Sequence, residues 1–264
     1  MQSGILDEIE LSLDHPAACA QKLLHAEADI GLVPVATLPH FKDYHIISNY
    51  CLGADGEVKT VLLCSQVPLD KIDTIYLDYQ SRTSAMLVQI LAHKFWRTEI
   101  AFKNGFPHFE EAVIKSRTAA LVIGDRSLDI AAKSNYIYDL SAEWKKFTGL
   151  PFVFATWTSN SEMPNDFLQR FNQALEWGLQ NKDQSISMLS GEKTPTSFNL
   201  QEYLNKNISY TLTDTKRAGL NLFLEYLCNL QSCEVAEDKQ IIVHAASKCI
   251  CKNKLNSKVS IYEK

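Results

Sequence analysis

The sequence predicts an α/β fold built as two similar lobes, on three observations. Strand-like and helix-like patterns alternate from Ala28 to Asp125. One order of elements, helix then strand then turn, occurs twice: Leu23 to Val35 carries Ile30-Gly31-Leu32-Val33, and Val113 to Asp125 carries Leu121-Val122-Ile123-Gly124. A strand, a polar turn and a helix follow one another from Asp73 to Phe95. Alternation of this kind implies largely parallel sheets, whose ligands bind beyond the carboxyl ends of the strands.

Taken in order, Ile9, Leu11 and Leu13 alternate with polar residues as a short strand does. Asp14-His15-Pro16 is a helix start with Asp14 as N-cap, and Cys19, Ala20, Leu23 and Leu24 form its apolar stripe. Ala28 to Val35 is expected as a buried strand, Ile46 and Ile47 as a short one, and Val58 to Ser65 as another after the turn Ala54-Asp55-Gly56. The central strand runs Thr74 to Tyr79 and its helix is expected to open at Ala85, where Met86, Leu87, Ile90, Leu91 and Phe95 recur at helical spacing. A strand near Glu99 to Phe102, a helix from Pro107 to Ser116 and a strand Ala119 to Ile123 follow. The apolar run Leu150 to Thr158 is a strand returning between lobes, too short for a membrane span. Met163 and Pro164 start a helix with Phe167, Leu168, Phe171, Leu175 and Leu179 on one face, and Leu220, Phe223, Leu224 and Leu227 mark another. From Leu230 the periodicity fades into a Lys- and Asn-containing tail. The expected division is 1–66 for the first part of lobe 1, 67–150 for lobe 2, 151–229 for the return strand and lobe 1 helices, and 230–264 for the tail.

Composition narrows the function classes. The 264 residues are 46% hydrophobic and 22% charged, enough apolar material for a large core. A net charge of -5, with the 26 Lys and Arg scattered, argues against broad nucleic-acid binding. Without a signal-like start or a membrane-length apolar run, a cytoplasmic protein without a membrane partner is expected. The seven cysteines lack paired C-x-x-C spacing and the seven histidines lack a helical metal-binding pair, so no metal site is expected. Cys19, Cys51 and Cys64 read as small buried hydrophobes, whereas Cys249 and Cys251 sit in the polar tail.

The turn Gln80-Ser81-Arg82-Thr83-Ser84 is the candidate site. A helix start leaves backbone N–H groups without intrahelical partners, and three hydroxyls beside them suit an anion such as a carboxylate. In an isolated turn of this kind such a hydroxyl more often simply caps the helix. Gly124 and Asp125 form a second corner at a strand end, where Asp125 either lines a cleft or caps the next helix.

Five segments together carry a family resemblance: Ala28-Asp29-Ile30-Gly31-Leu32-Val33-Pro34, Asp55-Gly56-Glu57-Val58-Lys59-Thr60-Val61, Ser81-Arg82-Thr83-Ser84, Val122-Ile123-Gly124-Asp125 and Trp144 to Phe154. Over Ile5 to Leu227 the chain resembles the type-2 periplasmic-binding-protein fold and, within it, chorismate dehydratases of the futalosine route to menaquinone. The resemblance implies a cleft between the lobes in which chorismate loses water to give 3-[(1-carboxyvinyl)oxy]benzoate, without metal or organic cofactor. It implies ligand contacts from Thr60, Thr83 and Ser84, with Ser81, Arg82, Gly124 and Asp125 as further cleft residues; the proton-abstracting group stays open. The family begins with a strand and a Ser-Tyr-Leu-Asn-Thr-x-Pro segment, and this chain starts just after it, so the first lobe is expected to be incomplete between Ile9–Leu13 and Ile30–Val35. A start set too far downstream is the simpler account. A non-catalytic carboxylate-binding protein of this fold and the related dihydroxynaphthoate synthase are the competing readings; no histidine stands in the return strand to serve the latter as base.

Overall fold

Nine strands and nine α-helices, in the computed structural model, account for most of the residues described, which are 4–189 and 198–237. In chain order they are α1 (Pro16–Leu24), β1 (Ile30–Pro34), β2 (His45–Ala54), β3 (Val61–Ser65), β4 (Thr74–Leu77), α2 (Arg82–Ile90), β5 (Ala101–Asn104), α3 (Phe109–Val113), β6 (Thr118–Ile123), α4 (Arg126–Ala132), β7 (Tyr136–Asp139), α5 (Leu140–Thr148), β8 (Phe152–Ser159), α6 (Asn165–Gln180), α7 (Lys182–Leu189), α8 (Leu200–Glu202), β9 (Ser209–Thr211) and α9 (Asp214–Glu237).

The strands form two sheets. The first has the order β1-β8-β2-β9 and the second β5-β4-β6-β3-β7. The chain crosses to the second sheet after Ala54 and returns at β8, so β3 belongs with the second lobe although the sequence reading places the boundary at 66/67. In the second sheet β4 lies parallel to β5 and β6, which sets the β4 and β6 carboxyl ends side by side. Both predicted corners leave from those ends.

One apolar core joins the lobes. Leu23 and Val33 from the first lobe, Leu63, Ile75 and Leu87 from the second, and Trp144, Phe152 and Phe223 are all buried within it. Trp144 presents its edge to Phe152 at 5.4 Å between ring centroids, a favoured aromatic geometry. A smaller cluster of Leu62, Cys64, Phe109, Val113, Ala120, Val122 and Ile130 fills the other face of the second sheet. Cys51 and Cys64 are buried free thiols, while Cys19 is only half-buried.

Several expectations are corrected. Among the described residues, parallel pairing is confined to β4 with its two neighbours and the other pairings are antiparallel; periodicity marks a strand without fixing its direction. Ile9 to Leu13 is not a strand: it has no ladder partner among the described residues, and Leu11 and Leu13 are 60% and 90% exposed. The neighbouring candidate, β1, is an edge strand of its sheet. His15 rather than Asp14 occupies the N-cap position of α1, and Asp14 instead accepts from Lys22 Nζ at 2.6 Å. β2 is much longer than Ile46 and Ile47 suggest, and α9 continues past Leu230 to Glu237. Cys249, Cys251 and the rest of the tail from residue 238 lie outside the described residues. Two strands, β7 and β9, have no counterpart in the sequence reading. Among the described residues no helix is long and apolar enough to cross a membrane.

Candidate functional site

The site is built at the junction of β4 and α2. Tyr79 and Gln80 leave the sheet, and α2 opens at Arg82, three residues earlier than the spacing of its apolar side chains indicates. The reason is Ser81: it adopts extended backbone and its Oγ accepts from Ser84 N at 3.2 Å, the N-cap bond that starts a helix. Ser81 Oγ also donates to Ser84 Oγ at 2.8 Å. The capping role is therefore realised by Ser81, with Ser84 as its partner.

Thr83 is turned inward. Its Oγ1 accepts from Ala36 N at 3.3 Å and donates to Phe154 O at 3.2 Å, so it ties α2 to the first lobe. Both Thr83 and Ser84 are about fully buried, at 2% exposure. Arg82 is exposed and makes no salt bridge among the described residues.

A cavity of about 440 Å³ lies against this corner. Ala36 and His40, from the turn after β1, line it on the first-lobe side; Leu77, Asp78, Tyr79, Ser81, Arg82, Ala85, Met86 and Asn104 line it on the other. Its size falls within the usual range for small-molecule sites, and its makeup is the usual one of apolar walls with a few polar groups. Besides Asp78 and Tyr79, the polar residues lining it are His40, Ser81, Arg82 and Asn104, the Ser81 hydroxyl being engaged with Ser84. Met86, Ala85 and Leu77 give it an apolar side. The dipole of α2 adds a positive contribution at the Ser81 end. Asp78 contributes little negative charge to the space, because its side chain is 0% exposed and satisfied from behind: it accepts from Gln80 N at 2.8 Å, Ile123 N at 3.1 Å and Arg126 at 2.7 Å. Burial pushes the Asp78 carboxyl above the usual aspartate range despite those donors.

The second corner stands beside the first. Gly124 takes φ +65°, a left-handed conformation that favours glycine, and its N–H donates to Thr60 O at 2.9 Å. Asp125 occupies the N-cap position of α4 but makes no side-chain cap bond there, and it is exposed. Thr60 is buried, and its hydroxyl meets Tyr203 Oη at 2.9 Å. Burial pushes the Tyr203 phenol above its ordinary value, with Asp125 and Asp139 acting in the same direction. Of the residues singled out in the sequence, Ser81 and Arg82 line the cavity; Thr83 and Ser84 lie beneath it, and Thr60, Gly124 and Asp125 gather around Tyr203 at the adjoining strand ends. Sequence reading had no route to Tyr203, or to His40 and Asn104. Among the described residues no group of His, Cys, Asp and Glu is arranged to hold a metal ion.

The sequence and the fold have known counterparts. Residues 2–229 match the model of the menaquinone biosynthesis family. The chain belongs to that family. It is 25% identical over 237 residues to the chorismate dehydratase of Thermus thermophilus, covering 80% of this chain and 84% of the relative. Among solved structures, a protein from Archaeoglobus fulgidus superposes with a TM-score of 0.62 at 14% identity, covering 86% of this chain and 88% of that one. The periplasmic aliphatic sulphonate binding protein of Escherichia coli gives 0.54 at 14% identity, over 84% and 80% of the two chains. The fold is thus the two-lobed α/β architecture of type-2 periplasmic binding proteins, as the resemblance implied.

Proposed function

We propose that this member of the menaquinone biosynthesis family dehydrates chorismate to 3-[(1-carboxyvinyl)oxy]benzoate, binding it in the cavity between the lobes. The observation that carries the reading is the exposed Arg82, which makes no salt bridge among the described residues, at the positive start of α2 in a cavity between the lobes of a chain related to a chorismate dehydratase. Chorismate carries two carboxylates. One suits the guanidinium at the helix start, and the other suits His40 across the cavity, with Asn104 on the Arg82 side and the ring against Met86 and Leu77.

The chemistry asks little of the protein beyond this. A ring C–H loses its proton, the hydroxyl leaves, and proton and hydroxide together make water as the ring becomes aromatic; no electrons are gained or lost. Orientation and charge stabilisation are the protein's share. With the Asp78 carboxylate buried and fully occupied, the proton acceptors facing the cavity are His40 and the substrate's own carboxylate. The second reading is a carboxylate-binding protein without turnover, favoured by the internal use of the Ser81 and Thr83 hydroxyls as donors.

Incubation of the purified chain with chorismate, followed by chromatography for the enolpyruvyl-benzoate product, tests both. Product formation that falls by about tenfold or more in Arg82→Ala supports the dehydratase. A rise in melting temperature with chorismate and no product supports the binding protein. If chorismate produces neither effect, both readings fail.

A further inference from the structure

Arg126 is absent from the cavity wall, yet it touches three consecutive residues that lead into it. Its guanidinium donates to Asp78 Oδ2 at 2.7 Å and to Gln80 Oε1 at 3.1 Å, and it lies 5.3 Å from the centroid of the Tyr79 ring. It also donates to Glu110 Oε1. Four groups thus converge on one side chain at the start of α4, from the β4–α2 turn on one side and α3 on the other.

The electrostatics make this arrangement more than packing. Asp78 and Glu110 are both buried, with side chains 0% and 5% exposed, while Arg126 is 29% exposed. Two buried carboxylates facing one guanidinium leave that cation strongly held, and its flat fork aims a separate nitrogen at each in a fixed plane, a geometry that an ammonium on a flexible stem does not reproduce. With the guanidinium fixed by Glu110, Asp78 is fixed as well, and Asp78 in turn accepts the Gln80 and Ile123 N–H groups. The Tyr79 ring, 46% exposed at the cavity, has its position set by the cation on it.

We propose that Arg126, locked by Glu110, is the positioning residue of the cavity wall: it holds residues 78–80 from outside so that Tyr79, Ser81 and Arg82 face the ligand. Its ligand-binding consequence rests on the chorismate reading above, whereas its effect on the turn does not. It differs from a general structural ion pair in being local. Releasing it loosens the turn at 78–82 and leaves β3, an interior strand of the same sheet, in place.

The test uses Arg126→Lys, which keeps the charge and loses the fork, and the double variant Glu110→Gln/Arg126→Met, which removes one carboxylate with the cation so that the net charge of the cluster is unchanged. Amide hydrogen exchange is read at residues 79–82 and at Val61–Ser65 of β3, beside the chorismate dissociation constant. Exchange at 79–82 is expected to accelerate by about tenfold in both variants with β3 within about twofold of the parent. The chorismate dissociation constant is expected to rise by about tenfold. Unchanged exchange at 79–82, or acceleration spread equally through β3, overturns the proposal. If the parent chain does not bind chorismate, the functional reading falls and the exchange measurement still decides the role of Arg126.

Discussion

Thr83 makes two hydrogen bonds that a methyl group cannot replace. Thr83→Val keeps the side chain's shape but removes the hydroxyl that accepts from the Ala36 N–H and donates to the Phe154 carbonyl. At 2% exposure no bulk water substitutes, so the loss is expected to fall at about 1–3 kcal/mol, the usual cost of stranding a buried polar group. Urea denaturation measures it, and Thr83→Ser, which retains the hydroxyl, should recover most of it. A cost near zero would mean that the two lobes are not joined through this side chain. Residue identity at this corner was legible in the sequence, since a hydroxyl-rich helix start has few uses. Which of these residues lines the cavity was not, because Thr83, Ser84 and Ser81 differ only in the partners that the tertiary fold supplies.

Among the elements, α9 shows how closely helix and strand approach. A Cβ built on Gly219 would collide with the Pro151 carbonyl oxygen just before β8. In an isolated helix Gly→Ala gains about 1 kcal/mol of propensity, but here the added methyl pushes α9 away from backbone that cannot swing aside, and overpacking of this kind costs about 1–3 kcal/mol. Gly219→Ala is therefore expected to lower the melting temperature, and a rise would show that α9 has room to move. The longer, strongly periodic elements were readable: α6 and β8 stand within a residue or two of where their patterns put them. β7 and β9 were not, being edge strands of four and three residues whose partners supply their definition. Strand direction was equally hidden. β2 and β8 pair antiparallel across a distance in sequence that no local pattern reports. The Ile9–Leu13 alternation failed for the complementary reason: a strand needs a ladder neighbour, and alternation without one leaves Leu11 and Leu13 in solvent.

Across the whole molecule, two sheets are served by one main core. Because Leu23, Leu63, Trp144 and Phe223 belong to one buried cluster, neither lobe can open without exposing the apolar surface of the other. A single calorimetric transition with equal van't Hoff and calorimetric enthalpies is expected, and two resolved transitions would reject it. The pairing of β2 with β8 has a consequence of a different kind. Ala54 and Phe152 face each other in the ladder, so everything between them leaves the first sheet and returns to the same place. During synthesis from the N-terminus, α1, β1 and β2 emerge first, yet β8, which joins β1 to β2, emerges only after the entire second sheet. The lobe that begins the chain is therefore the one that closes last, and the second lobe is complete before its host has a sheet to offer.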